Sequence, residues 1–107
     1  MDPYRIAQLI APKSEHRWAK HVALVVRGGA IVAVGYNHAT THAEASALNK
    51  LWPSERRDTR VWSMRLNRSG KFRMAKPCAD CMRYLRSAGV KAVYWTNSEG
   101  DIESEKL

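Results

Sequence analysis

Two apolar runs separated by a Gly-Gly pair constrain the fold of this chain most strongly. The runs HVALVVR (21–27) and AIVAVGYN (30–37) are rich in β-branched residues, and Gly28 and Gly29 lie between them. A Gly-Gly pair supplies the backbone angles that a two-residue reversal needs. The sequence therefore predicts a β-hairpin in the first third of the chain, and with it a sheet that is antiparallel at this edge.

Helical and strand patterns alternate through the rest of the chain. In RVWSMRLNR (60–68) the apolar Trp62, Met64 and Leu66 alternate with polar residues, which predicts a strand with these three in the core. The predicted elements are, in order, a helix over 3–10, the hairpin, a helix over 42–51, the strand over 60–68, a helix over 78–88, a strand over 91–97 and a weak edge strand near Ile102. The late strand–helix–strand unit is expected to be parallel with a right-handed crossover. Residues 1–107 are thus expected to form one α/β domain.

The helix boundaries have recognisable sequence signals. Asp2 followed by Pro3 is typical of a helix start, and Pro12 ends that helix. Thr40 or Thr41 is expected to cap the second helix. Gly89 is a usual C-terminal stop for the third.

Composition excludes several classes of protein. The chain has 107 residues, of which 45% are hydrophobic, so wholesale disorder is excluded. No apolar run approaches the roughly 20 residues of a membrane span, and the N-terminus lacks the layout of a secretory signal. We therefore expect a cytoplasmic protein with reduced thiols. Its two cysteines, three residues apart, are then a metal-binding pair, a redox pair or an inert pair.

Positive charge is concentrated in the middle of the chain. The segment 50–91, called the basic region below, has 12 Lys or Arg against 3 acidic residues, a net charge of +9 within a total of +8. Such a region attracts phosphate, either on a nucleotide or along a single-stranded nucleic acid. The alternative is an ordinary solvated surface.

Two short motifs bring together residues that suit a zinc site. THAEAS (41–46) contains His42 and Glu44, and KPCADC (76–81) contains Cys78 and Cys81. Both fall at predicted helix N-termini, where the helix dipole is expected to lower thiol pKa values. One His and two Cys are zinc ligands, and three protein ligands leave the fourth position to water, as in catalytic sites. Glu44 is placed to take a proton from that water.

Other interpretations of these motifs remain open. The cysteines alone are compatible with a redox pair, which would leave His42 and Glu44 without a role. His38 can complete a four-ligand structural zinc site. His16 and His21 have no partner pattern, and we assign them no role.

The combination of His42-Ala43-Glu44 with Pro77-Cys78-Ala79-Asp80-Cys81 resembles the paired motifs of the cytidine deaminase-like superfamily. The order of the predicted elements is similar as well. The resemblance implies a three-layer α/β/α fold, with a mixed central sheet of four to five strands and helices on both faces. It also implies one Zn²⁺ per subunit, bound by His42, Cys78 and Cys81, with Glu44 as the proton shuttle.

The resemblance further implies contacts with the substrate. Asn37 would contact the base or sugar, the Ala43 N–H would face the base carbonyl, and Trp95 would lie beside the pocket and stack on the base. The alternatives are that Asn37 is a turn residue at a strand end and that Trp95 is a half-buried strand aromatic. The implied reaction is hydrolytic deamination of cytosine in a free nucleoside or nucleotide, and the family's assemblies favour a homo-oligomer.

Several alternatives for the substrate stay open. Arg65, Arg73 or Lys76 can hold a phosphate of a free nucleotide. The basic region instead favours cytosine or adenine in single-stranded DNA or RNA. Free guanine or adenine substrates and a zinc fold used only for binding are the remaining possibilities.

Overall fold

The computed structural model describes residues 1–16, 18–39 and 41–107. Its helices are α1 (Pro3–Ile10), α2 (Ala43–Leu48) and α3 (Ala79–Ala88), with short 3₁₀ turns at Ala11–Lys13 and Pro53–Glu55. Its strands are β1 (Ala19–Arg27), β2 (Ala30–Tyr36), β3 (Arg60–Asn67), β4 (Phe72–Arg73), β5 (Ala92–Thr96) and β6 (Ile102–Lys106). None of these helices is long and apolar enough to cross a bilayer.

The strands form one mixed sheet in the order β2-β1-β3-β5-β6, with β4 paired to β3. Only β3 and β5 pair in parallel, and the other described pairs are antiparallel. The mixed α/β fold and the parallel strand–helix–strand unit are confirmed. The two-residue strand β4 is an addition to the expected four to five strands, because a segment this short has no periodicity that a sequence can display.

The predicted hairpin is present. Gly28 and Gly29 form the turn with φ of 57° and 80°, both in the left-handed region that glycine adopts without steric cost. The pairing register shifts between Val25 and Val26, so Val32 on β2 is an extra residue at a bulge.

Helices cover both faces of the sheet. Because side chains alternate along a strand, β1 sends Ala23 and Val25 to one face and Val22 and Leu24 to the other. The first face, called the site face below, packs against α2 and α3, and the second, called the α1 face, packs against α1. The predicted core residues lie on the α1 face: Met64 and Leu66 are buried, and the half-buried Trp62 stacks on Tyr94 at 4.3 Å.

The helix boundaries agree with the sequence signals except at the two ends of α2. Asp2 accepts a hydrogen bond from the Arg5 N–H at 3.3 Å, and Gly89 ends α3 with a left-handed φ of 88°. The cap of α2 is not Thr41, whose backbone pairs with that of His38, and Thr40 lies outside the described residues. The N-cap is His42, so the helical part of α2 begins one residue later than predicted.

The predicted end of α2 is also too late. The helix stops at Leu48, and the N–H groups of Lys50 and Leu51 donate to the carbonyls three residues before them. These shorter-range bonds satisfy carbonyls at the helix end and tighten the last turn. Residues 49–51 therefore form turns rather than helix.

Candidate active site

The predicted zinc ligands come together at two neighbouring helix N-termini. The ligand atoms of His42, Cys78 and Cys81 all lie within 4.8 Å of one another, and His42 Nδ1 is 3.0 Å from the Cys81 sulfur. His42 is the N-cap of α2 and Cys78 that of α3, and neither side chain forms a capping hydrogen bond. Because neither side chain is used for capping, each is free to serve as a ligand.

The chemistry of this cluster fits Zn²⁺. One imidazole nitrogen and two sulfurs form a usual zinc donor set, and both cysteines are free. Burial raises the pKa of the Cys81 thiol, and the Glu44 carboxylate raises it further. At Cys81, desolvation and the nearby negative charge therefore oppose the thiolate that the helix N-terminus was expected to favour. A bound cation is the group that stabilises its thiolate.

The cluster does not match the alternative interpretations. His38 is not part of it, and its ring instead packs against Tyr36 at a centroid distance of 5.5 Å. His38 therefore does not complete a four-ligand structural site with these three residues. The imidazole of His42 beside Cys81 also distinguishes this cysteine pair from an isolated redox pair.

Glu44 lies in the first turn of α2 and is 1% exposed. Within the described part of the chain, its Oε1 atom has no hydrogen-bond partner. A buried carboxylate oxygen without a partner is unfavourable for folding, so such an atom calls for an explanation. A water or substrate group beside the ligand cluster would satisfy it, and this also agrees with an active centre.

His21, to which the sequence assigned no role, lies in this buried part of the site. Its Nε2 atom is 3.1 Å from Glu44 Oε1 and 2.5 Å from the Ser63 hydroxyl. Burial lowers the pKa of His21; Glu44 acts in the opposite direction, and Arg65 and His42 add to the lowering. The strand alternation places His21 on the same face as Ala23, but its partners are 23 and 42 residues away, so the sequence alone did not reveal them.

Asn37 anchors the segment before β1 to the end of β2. Its Oδ1 accepts hydrogen bonds from the Ser14 hydroxyl and the His21 N–H, the latter at 2.9 Å, and its Nδ2 donates to the Ala19 carbonyl at 2.9 Å. One N–H of the amide is not used by these contacts. Asn37 thus has a structural role in addition to its position beside a cavity.

Two adjoining cavities open onto these residues. The outer one, of about 310 Å³, is lined by His16, Ala19, His21, Asn37, Ala39, Thr41, His42 and Arg65. The inner one, of about 180 Å³, is lined by His21, His42, Glu44, Arg65, Met74, Ala75, Lys76, Pro77 and Cys78. Three residues, His21, His42 and Arg65, line both. The outer volume alone lies within the range of small-ligand sites.

The remaining residues predicted to contact the substrate differ in their position relative to the two cavities. Ala43 is buried and is the first residue of α2, so its N–H has no acceptor within the helix. Trp95 is 5% exposed, packs in the core of the site face and lines neither cavity, while Lys76 Nζ lies 5.2 Å from its ring centroid. Arg73 also lies outside both linings.

Comparison with known proteins agrees with this site. The family described as the cytidine and deoxycytidylate deaminase zinc-binding region matches residues 3–97. No curated protein sequence matches the chain.

Two solved structures are similar to this chain over most of their length. The apo crystal structure of dCMP deaminase from the cyanophage S-TIM5 is 27% identical, with a TM-score of 0.65 over 92% of this chain and 86% of that one. The structure of the same enzyme in complex with dCMP and dUMP is 25% identical, with a TM-score of 0.64 over 92% and 85%. Since the family match spans nearly the whole chain, the protein belongs to the cytidine and deoxycytidylate deaminase family and is a zinc-dependent deaminase.

Proposed function

We propose that the protein deaminates cytosine in a free nucleotide, converting it to uracil with release of ammonia. The observation that carries this proposal is Glu44, a buried carboxylate two residues from His42 that lines the same cavity as Cys78. Its Oε1 makes no hydrogen bond to the described residues and lies 3.1 Å from His21 Nε2. A proton shuttle needs to lie close to the reacting water, and it needs an oxygen that is available to accept a proton.

The reaction follows from the residues of the site. Zinc, when bound by His42, Cys78 and Cys81, supplies the Lewis acidity that lowers the pKa of a water molecule to about 7. Glu44 accepts a proton from the water that attacks C4 of the base, and it delivers protons to N3 and to the departing amino group. A C–O bond forms at C4, the C–N bond breaks, and the two protons of water leave with the base and with ammonia.

Backbone and side-chain groups around the cavities would orient the substrate. The N–H of Ala43, which has no acceptor within α2, is the proposed donor to the base carbonyl. The second N–H of the Asn37 side chain is the proposed contact to the base or sugar. Stacking of Trp95 on the base has less support, because its ring is buried in the core.

A phosphate on the substrate has two candidate partners. Arg65 lines both cavities and Lys76 lines the inner one, so each places a cation beside the proposed base site. A structurally similar enzyme is a dCMP deaminase whose crystal structure contains dCMP and dUMP. These observations favour a cytosine nucleoside monophosphate over a nucleoside.

The proposed setting is a cytoplasmic homo-oligomer in which residues 1–107 of each chain form one domain. A reducing compartment keeps Cys78 and Cys81 available for metal, in agreement with their free state. Exposed large apolar side chains, such as Trp52 and the edge-strand residue Val32, offer surface for a second subunit.

A second candidate substrate is cytosine or adenine in a single strand of DNA or RNA. Trp18 is 61% exposed, and the Arg68 guanidinium lies 4.5 Å from its ring centroid. An exposed aromatic ring with a stacked cation is a platform on which a base of a strand can stack. Arg68 belongs to the basic region, so charge supports the same contact.

Ammonia release from a panel of substrates tests the proposal. The panel is cytidine, deoxycytidine, CMP, dCMP, guanine, adenosine, and single-stranded DNA and RNA, each with wild-type protein and the Glu44→Ala variant. We expect turnover of a cytosine monophosphate by wild-type protein only. Turnover of strands alone, with strong salt dependence, would favour the second candidate. Zinc at one equivalent with no turnover of any substrate would contradict both.

A further inference from the structure

His21 lies between two buried polar residues of the site, Glu44 and Ser63. It has no role in the proposed reaction. Its imidazole is 20% exposed and lies between α2 and β3, with Nε2 facing Glu44 on one side and Ser63 on the other. His21 and Glu44 also line the inner cavity together. This contact therefore joins a strand of the sheet to the proposed proton shuttle.

A short hydrogen-bond chain defines which nitrogen of His21 holds the proton. The Ser63 hydroxyl donates to the Ala75 carbonyl at 2.7 Å, because a carbonyl can only accept. The Ser63 oxygen then has only acceptor capacity left for His21, so Nε2 must be the donor. Burial, which lowers the pKa of His21, agrees with a neutral ring of this tautomer.

We propose that His21 is a positioning residue for Glu44: Ser63 and the Ala75 carbonyl orient its imidazole, and the polar edge of the ring at Nε2, 3.1 Å from Glu44 Oε1, keeps the carboxylate in place. This inference rests on the proposed function, because it assigns a helper to the proton shuttle. The proton of Nε2 is directed mainly at Ser63, so Glu44 Oε1 is near this donor without a hydrogen bond of good geometry.

This geometry leaves Glu44 Oε1 available to the reaction. The imidazole lies 3.1 Å from Oε1 and restricts where the carboxylate can lie, while its Nε2–H is directed at Ser63. Within the described residues Oε1 therefore has no hydrogen bond and is open to a proton of water or substrate. His21 thus fixes the location of Glu44 beside the ligand cluster.

Matched substitutions separate positioning from packing. His21→Leu removes the donor, and His21→Gln restores an N–H at a similar distance from the backbone. Val22→Ala is the control, because Val22 is the next residue on β1, is fully buried and packs on the α1 face. All three are compared with wild type in kcat, KM, zinc content and Tm.

We expect His21→Leu to lower kcat about 10- to 100-fold with KM changed less than threefold and zinc still near one equivalent, the size of effect known for misplaced catalytic groups and their supporting partners. His21→Gln is expected to recover most of this loss. Val22→Ala should lower Tm and leave kcat unchanged. Equal kcat losses in His21→Leu and Val22→Ala, or no recovery in His21→Gln, would overturn the proposal.

A spectroscopic measurement tests the same point on the unmodified protein. Nitrogen-15 NMR of the histidine side chains distinguishes the two neutral tautomers and the charged ring, with or without zinc. We expect the Nε2–H tautomer for His21 at pH 7, and a change of its resonance in Ser63→Ala. The Nδ1–H tautomer would overturn the hydrogen-bond chain.

The activity of Glu44→Gln distinguishes a failure of this inference from a failure of the proposed function. If Glu44→Gln lost its activity while His21→Leu behaved like Val22→Ala, only the role of His21 would be wrong. If Glu44→Gln kept full activity, the proton-shuttle function itself would be wrong.

Discussion

The two faces of the sheet use the same strands for different purposes. On the α1 face, β1 and β3 present Val22, Leu24, Met64 and Leu66 to an apolar cluster. On the site face, the alternate positions of the same strands hold His21 and Ser63, which meet Glu44 from α2. Alternation of side chains along a strand is what allows one residue to serve packing and the next to serve chemistry.

The difference between the faces concerns the free energy of burial. Apolar side chains gain free energy when they leave water, whereas a buried carboxylate with an unpartnered oxygen loses it. Glu44 is such a group, so the site face includes an unfavourable arrangement that the α1 face does not need. We infer that both faces supply stability, since each has its own apolar cluster, and that only the site face also supplies activity.

The largest expected effect is that of Glu44→Gln on turnover. An amide cannot accept and return a proton, so kcat should fall by about 10³-fold or more. Zinc content should stay at one equivalent, because Glu44 is not one of the three clustered ligands. Stability should be unchanged or higher, since a buried charge is removed. Kinetics, metal analysis and thermal unfolding of one preparation check all three, and loss of zinc would contradict the assignment.

Leu24→Ala tests the α1 face. Leu24 is fully buried in the apolar cluster, so its truncation should lower the free energy of unfolding by about 2–5 kcal/mol. The kcat per folded molecule should be unchanged well below Tm. Urea unfolding and kinetics at low temperature measure the two quantities. A large drop in kcat with the fold intact would show that the faces are not separate.

Gly35→Ala tests the contact that places α2 on the sheet. A Cβ at Gly35 would lie 2.5 Å from the Ala43 carbonyl oxygen and 2.9 Å from Ala47 Cα, so α2 must move. We expect a loss of about 1–3 kcal/mol of stability, as for other overpacked sites, together with a lower kcat because α2 carries Glu44. Gly70→Ala is the control: an alanine at φ +82° is strained, but nothing lies within 4 Å of the added Cβ. The control should lose stability and keep kcat.

Tyr4→Phe is expected to have the smallest effect. The Tyr4 hydroxyl donates to the Gly100 carbonyl at 2.9 Å, and its loss should lower stability by about 1 kcal/mol without changing kcat. Burial, Asp101 and Asp2 raise the pKa of this phenol. A raised pKa means that the stabilisation is present below the ordinary value of 10 and is lost as pH rises through the folded value. Unfolding followed between pH 8 and 11 should show a weaker alkaline loss in Tyr4→Phe; an identical loss would contradict this role.

Local signals in the sequence were sufficient for much of the fold. The turn at Gly28 and Gly29, the cap at Asp2 and the stop at Gly89 depend on backbone angles or short-range hydrogen bonds, so nearby residues determine them. The zinc cluster was also accessible, because His42 and the cysteine pair each lie at a helix start. The cap of α2 was predicted wrongly because a threonine before a helix does not reveal whether its backbone is already paired.

Long-range contacts were not accessible in the same way. The role of His21 depends on the register that aligns β1 with β3, and no local pattern fixes that register. The sequence likewise did not distinguish a Trp95 beside the pocket from the Trp95 that packs in the core of the site face. The raised pKa of Cys81 arises from burial and from Glu44, which only the assembled fold brings near.

X-ray absorption spectroscopy of the zinc-loaded protein tests the central claim most directly. The account predicts one zinc with two sulfur ligands at about 2.3 Å, one histidine nitrogen at about 2.0 Å and one further light atom, which is the signature of an open catalytic site. The structure agrees with this set of ligands, because the cluster contains His42, Cys78 and Cys81. No other described His, Cys, Asp or Glu belongs to it. A shell with two histidines and two sulfurs, or no tightly bound zinc, would contradict it.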